Sequence, residues 1–444
     1  MSMNVVILPL EGVSQTLFWQ YRGVMPAMWR LYREAISFRR FYSNSTSAFQ
    51  SFCDFAFGDS SELDHNLFFP SARGCLLGKR RNLFDILAEK GYAVLGTQHG
   101  SKKPGYIADN LLGAWPDSCG EFRWHAEYDS FFAESLGFIE KAGAAGKPFA
   151  LCLSDRIATV GDDSPEKRES RLYHERFEKG FALLDDTVFR VMKQLAESSL
   201  LDNTVVLAFG SYGMDPWKHG IYSGRTHAIA PYADMCWTPM FMYNNGRDAK
   251  TLDSLASVID LKETLLGVLF PGESFSHGRG YFSGVNLLEG GREMVFTQNL
   301  FALERENEGP ARGLMKSYAA TDGDQRLIVS SDGGIAGDGG MEFYYDPRDP
   351  GNTRNLLDFF SINNEGVMTA FGRPDATHPH FLLAWRPDRP DWLIQTVVKS
   401  YNAMREVLKI LVEHKEREAR GHCARPEEAK LFDSSLFNYK RRRQ

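Results

Sequence analysis

The stretch Asn203–Gly220, NTVVLAFGSYGMDPWKHG, constrains the fold more than any other. Val205 to Phe209 is an unbroken apolar run, too short for a helix, that stops at Gly210-Ser211-Tyr212-Gly213. Continuous rather than alternating hydrophobicity in so short a segment describes a buried strand that ends in a loop. In open α/β sheets, the loops beyond the carboxyl ends of the strands collect ligands and catalytic groups, because backbone and side chains converge there on one crevice. Asp215 and His219, in this polar, glycine-flanked loop, are therefore candidate functional residues.

The same alternation recurs along the chain. Val5 to Leu10 is a second buried strand, ending at Glu11-Gly12, and Arg22 to Ile36 carries Met25, Met28, Leu31 and Tyr32 at helical spacing. LFDILAEKG and YAVLG, within Asn82 to Gly96, form a helix and a strand, with His99 just past the strand. A helix over Tyr128 to Ala142, a strand over Pro148 to Leu153 and a long amphipathic helix over Tyr173 to Ser199 lead into the opening strand. Thr238 to Tyr243 is a further strand and Ser257 to Leu269 a helix. This order predicts a doubly wound α/β domain, with a mostly parallel sheet covered on both faces.

From about Glu293, the short runs MVFTQ, GLMKSYAAT, DQRLIVSS and MEFYYD, separated by Gly and Asp clusters, read as an antiparallel meander. Helical spacing returns over Trp392 to Glu418. The 444 residues exceed one ordinary domain. The expected organisation is an α/β domain over 1–290, a small antiparallel sheet subdomain over 291–360 and a helical extension over 361–444 that packs on the main domain or on a second subunit as a homo-oligomer contact.

A net charge of -6 argues against a general nucleic-acid binder, whose affinity rests on clustered Lys and Arg. The six cysteines have no CxxC spacing, so neither a zinc site nor a disulfide framework is expected. The N-terminus enters a strand at once, with no basic leader and no membrane-length apolar segment. These features predict a cytoplasmic protein with no membrane partner.

Between Ser43 and Ser51 five hydroxyl side chains crowd together, a use of Ser and Thr that helix capping and turns also explain. In order, NVVILPLEG, FRRFYSNSTSAFQSF, NLFDILAEKGYAVLGTQHG, KPFALCLS, DDTVFRVMKQLAESSLLDNTVVLAFGSYG, TPMFMYNNG, VIDLKETLLGVLF and MEFYYDPRDPGNTRNLLD resemble the sulfatase family of the alkaline phosphatase superfamily over roughly residues 4 to 358. The Thr46 region and His99-Gly100 are most similar to its threonine-nucleophile branch. The resemblance implies hydrolysis or transfer of a small sulfate or phosphate ester at a divalent metal (Ca, Mg, Mn or Zn). Carried over by position, Glu11 matches the first-strand metal ligand and Thr46 the nucleophile, itself bound to the metal. His99 and His219 match histidines that contact the ester oxygens or leaving group. Arg225 stands near the family's basic residue after the His-Gly pair, at a different spacing.

Three departures follow. Sulfatases proper use a formylglycine made from the cysteine of C-x-P-x-R, but Cys53 is followed by Asp54, Phe55, Ala56 and Phe57, so no formylglycine is expected. Where the family carries an Asp-His metal-ligand pair, this chain has Ser211 and Tyr212, poor substitutes at a divalent cation. Ser154-Asp155-Arg156 likewise stands where a histidine is expected. One reading is an enzyme with a rebuilt site, in which Asp215 and His219, one helical turn apart if the loop coils, join Glu11 and His99 around a metal or act as acid and base directly, Tyr212 donates a proton or hydrogen bond, and Ser211 and Arg225 bind substrate. The other is a catalytically silent binding or scaffolding module of the same fold.

Overall fold

The computed structural model describes residues 2–46, 48–59, 81–99, 122–155, 170–214, 231–244, 248–273, 275, 283–300, 316–330, 340–345, 352, 355, 360–362, 368–370 and 402–410. They fall into two compact units: Met1–Ala228 with Asp234–Arg292, and Ile229–Ala233 with Glu293–Gln444.

The described elements of the first unit are β1 (Asn4–Leu10), α1 (Gln15–Gln20), α2 (Pro26–Glu34), β2 (Ile36–Tyr42), α3 (Ala48–Phe57), α4 (Leu83–Glu89), β3 (Ala93–His99), β4 (Phe122–His125), α5 (Tyr128–Ala144), β5 (Phe149–Asp155), α6 (Ser170–Glu197), β6 (Thr204–Gly210), β7 (Met240–Asn244), β8 (Lys250–Ser257) and α7 (Asp260–Leu269). The strands form an eight-stranded sheet in the order β4-β3-β5-β1-β6-β7-β2-β8. β4, β3, β5, β1 and β6 run parallel. β7 is antiparallel to both β6 and β2.

Helices cover both faces of this mostly parallel α/β sheet. Val206 and Ala208 of β6, Val6 and Leu8 of β1, and Leu151 and Leu153 of β5 pack in one cluster with Phe131 of α5 and Phe177, Phe181, Leu184 and Val188 of α6. On α6 the buried positions Phe177, Phe181, Leu184, Val188, Val191 and Leu195 step by three or four residues, so a single stripe faces the sheet. Each of these larger side chains contributes about 2 kcal/mol of burial. The neighbouring residue of β6, Phe209, points the other way, its ring 4.9 Å from Phe55 of α3. Full burial of β1 and β6 explains why their sequences read as continuous apolar runs. Pro9 has no N–H to give, and the β1–β5 register skips from Ile7 to Leu10 around it.

Two strands depart from the expected outline. β2 lies within the segment read as helix end and hydroxyl-rich loop, and β8 precedes the helix assigned from Ser257. Their outer positions are polar, with exposed Arg39 and Asp253 paired at 3.0 Å. β8, KTLDSLAS, is an edge strand whose first half is largely solvated, so its sequence lacks the apolar signature.

In the second unit, β9 (Val295–Leu300), β10 (Lys316–Thr321), β11 (Gln325–Ser330) and β12 (Gly340–Tyr345) form the antiparallel sheet β12-β11-β10-β9. A separate ladder joins β13 (Phe360–Ile362) and β14 (Met368–Ala370). Residues 402–410 are helical, with Met404 and Leu408 buried. The remainder of the helix expected over 392–418 lies outside the described residues. Among the described residues no helix is long and apolar enough to cross a membrane.

Candidate functional site

The parallel register aligns four strand ends in one row: His99 opposite Asp155, Asp155 opposite Leu10, and Leu10 opposite Gly210. Glu11 and Ser211 are the next residues along their strands. The sheet itself thus brings residues of β1, β3, β5 and β6 together at one edge.

Glu11 is buried, and Gly12 after it adopts φ +72°, a left-handed conformation that suits glycine and turns the chain away from the strand. Glu11 Oε1 accepts hydrogen bonds from Gln98 Nε2 at 3.2 Å and Ser154 Oγ at 3.0 Å. Both donors are neutral, and both come from strand ends that the register brings alongside. Neither Gln98 nor Ser154 is singled out by sequence reasoning, because their role depends on the strand order β3-β5-β1, which local patterns do not reveal.

The hydroxyl-rich loop reaches this row from two strands beyond β6. Ser43 N–H donates to the Cys236 carbonyl at 2.7 Å, and Ser43 Oγ lies 2.5 Å from the Ser211 carbonyl and 2.5 Å from that of Ser45. One hydroxyl proton serves one of these acceptors at a time. Asn44 Oδ1 accepts from the Ser257 hydroxyl and from Ile259 N–H at 3.1 Å. The loop is fixed at both of these points, and Thr46, 1% exposed, follows two residues before α3. A helix start offers unpaired N–H groups and positive potential, which favour an anion.

Ser211 is buried, with its N–H donating to the Leu10 carbonyl at 3.0 Å and its Oγ 3.4 Å from the same oxygen. Tyr212 turns toward the β1 loop: a methyl group at Gly12 would lie 3.9 Å from the Tyr212 hydroxyl oxygen. Gly213 passes so close to the helical turn Ala233–Cys236 that a Cβ there would lie 2.0 Å from the Asp234 carbonyl oxygen, so only glycine fits. Asp215, His219 and Arg225 lie outside the described residues.

His99 is the last residue of β3 rather than a loop residue beyond it. Its Nδ1 is 2.9 Å from Asp155 Oδ1, and both side chains are buried. Asp155 also accepts from the Tyr128 hydroxyl, 3.2 Å from Oδ1 and 3.1 Å from Oδ2, and from Thr187 Oγ1, 2.8 Å from Oδ2. The Tyr128 ring stacks on the imidazole, with centroids 3.7 Å apart. Burial and then the Asp155 charge push the Tyr128 phenol well above its ordinary range, so it remains a protonated donor. Sequence reasoning treats Asp155 as the loss of a histidine. Its signal was an acid directly after a buried strand.

Members of the sulfatase family generally use a divalent metal. Among the described residues, no group of three or more His, Cys, Asp or Glu side chains is placed to hold a metal ion. Glu11 engages two neutral donors and Ser211 faces a backbone carbonyl, so the described donor set does not fit a hard divalent cation.

The first unit is a mostly parallel α/β sheet with acid, imidazole and hydroxyl groups at its carboxyl edge, and the second unit holds a small antiparallel sheet. The Sulfatase family model matches residues 3–270, more than half of the chain, and the protein belongs to that family. No curated protein matches the sequence. Among solved structures, the chain is similar to a putative sulfatase, YidJ, from Bacteroides fragilis (11% identity, TM-score 0.59, 97% of this chain and 98% of that one). It is also similar to a protein solved in complex with its substrate D-glucosamine-2-N,6-O-disulfate (13%, 0.55, 91% and 99%). A third is an alkaline phosphatase superfamily protein from Vibrio parahaemolyticus (12%, 0.54, 90% and 88%).

Proposed function

We propose that this protein hydrolyses or transfers the sulfate or phosphate group of a small anionic ester, with Thr46 as nucleophile and His99 as the proton-transfer group. The observation that carries the reading is the placement of Thr46: its loop is tied through Ser43 to Ser211, at the functional edge of a sulfatase-family sheet, directly ahead of α3. Thr46 Oγ1 attacks the sulfur or phosphorus while the ester oxygen–sulfur (or oxygen–phosphorus) bond breaks. The Thr46 proton passes to His99 Nε2 and is returned to the departing alkoxide, and water or an acceptor alcohol then releases the group from Thr46. The helix start favours the transferred anion. A sulfated amino sugar is a suitable first substrate, because a structure of the same fold holds one.

Release of inorganic sulfate or phosphate from sulfated and phosphorylated monosaccharides and aryl esters tests the proposal. Turnover should fall by about 10³-fold or more in Thr46→Ala. Glu11, held by neutral donors, and the Ser211-Tyr212 pair support a second reading, a silent ester-binding module. That reading predicts saturable binding of the same esters with no product from the wild type.

A further inference from the structure

Asp155 has no role in the assignment made from the sequence, yet it is a buried carboxylate on which several donors at the sheet edge converge. Three side chains from three elements, His99 of β3, Tyr128 of α5 and Thr187 of α6, converge on it. Thr187 reaches Oδ2 and His99 reaches Oδ1, while the Tyr128 hydroxyl lies 3.1 Å from Oδ2 and 3.2 Å from Oδ1. The hydroxyls are donors here, since a carboxylate only accepts. Thr187 Oγ1 also lies 3.2 Å from the Leu183 carbonyl, but the 2.8 Å contact to the charged oxygen is the stronger one.

We infer that Asp155 is a positioning residue that holds His99 in the tautomer protonated on Nδ1, leaving the Nε2 lone pair as the proton acceptor of the site. The carboxylate cannot donate to the ring, so Nδ1 must carry the hydrogen. Tyr128 and Thr187 fix the carboxylate's rotation, and the Tyr128 ring, stacked on the imidazole at an interplanar angle of 28°, limits the ring's own rotation. Phe131 closes an adjacent side at 5.7 Å. His125, opposite His99 in the β3–β4 register, is 2.8 Å from Glu134, so that second histidine has its own acid.

The substitution that exposes this device is Asp155→Asn, which keeps shape but changes one oxygen to an NH₂. Tyr128 and Thr187 both donate, so the amide oxygen should take their side and the NH₂ should face His99 Nδ1. Nδ1 then becomes an acceptor, and the hydrogen moves to Nε2.

The inference rests on His99 acting in proton transfer, but its test has a readout independent of turnover. Nitrogen-15 NMR of the full chain at about pH 9, well above the ordinary imidazole range, reports which ring nitrogen is protonated. The His99 signals are assigned by their loss in His99→Gln. The wild type should show a protonated Nδ1 and a bare Nε2, and Asp155→Asn should reverse the two. Where turnover is present, Asp155→Asn should lower kcat by about 10²- to 10⁴-fold with little change in KM. If Asp155→Asn does not fold, Asp155→Ala serves instead and, with the acceptor at Nδ1 removed, should no longer hold the hydrogen on Nδ1. Nε2 protonation in the wild type, or a tautomer unchanged by these variants, overturns the inference. The expected tautomers in a protein without turnover would uphold the positioning and remove the proposed activity alone.

Discussion

At the scale of single residues, the site is a set of exchanges between charge and neutral hydrogen bonding. Ser211 and Tyr212 occupy the strand end where the family places an Asp-His pair, and Glu11 is satisfied by Gln98 and Ser154. Wild-type protein should therefore show little thermal stabilisation by micromolar Ca²⁺ or Mg²⁺. Ser211→Asp/Tyr212→His, which sets a carboxylate and an imidazole beside Glu11, should show saturable stabilisation, worth about 2.7 kcal/mol when the ion is at 100 times its Kd. Strong stabilisation of the wild type would show that its metal site is complete without that pair. Cys53 stands in the middle of α3, buried and followed by none of the C-x-P-x-R residues. Peptide mass spectrometry should find it as an unmodified thiol, and an aldehyde at that position would refute this.

At the scale of elements, a few local contacts set the positions of whole segments. Asp185 of α6 caps the start of α2, accepting from Met28 N–H at 2.7 Å and Ala27 N–H at 3.1 Å. Asp185→Ala should cost about 1 kcal/mol in denaturant unfolding. Burial raises the Asp185 carboxyl above its ordinary range, outweighing the lowering effect of the two amides. A folded state with the raised value binds more protons than the unfolded chain, so this residue's contribution falls as pH rises from the ordinary carboxyl range through the native value. The cost of Asp185→Ala should accordingly be greatest at acidic pH and shrink as pH rises, and the opposite trend would refute the assignment. Gly213→Ala drives a methyl group into the Asp234 carbonyl, which should destabilise the protein by about 2 kcal/mol as measured by the same unfolding experiment.

These elements also show what was legible in the sequence. β1, β5 and β6 announce themselves because burial on both faces requires apolar runs, and β3 does so through the short run YAVLG that follows a helix. α6 does so through its stripe. β2 and β8 do not, because Arg39, Lys250 and Asp253 belong to solvated strand positions and read as loop. At the site, Glu11, His99 and Ser211 are visible as polar residues at the ends of recognisable segments, whereas Thr46 is singled out among its neighbouring hydroxyls only by the family resemblance. Gln98, Ser154 and Asp155 gain meaning only through strand order, which joins residues more than 50 positions apart.

At the scale of the whole molecule, the proposed function requires a sulfatase-family sheet to bring Thr46, ahead of a helix start, to an edge where His99 transfers the proton. Beyond this core, the segment from Asp391 includes the described helix over 402–410 with buried Met404 and Leu408. Removing residues 391–444 should uncover the surface that Met404 and Leu408 pack on and yield a less stable or aggregating protein, and an unchanged melting curve would show the segment to be dispensable. The central claim is the covalent role of Thr46. Its most direct test is rapid acid quenching during turnover of a sulfated amino sugar or aryl sulfate, followed by peptide mass spectrometry. The account predicts a sulfated peptide whose modification maps to Thr46 and disappears in Thr46→Ala together with turnover. A covalent group on another residue, or undiminished product release by Thr46→Ala, would contradict it.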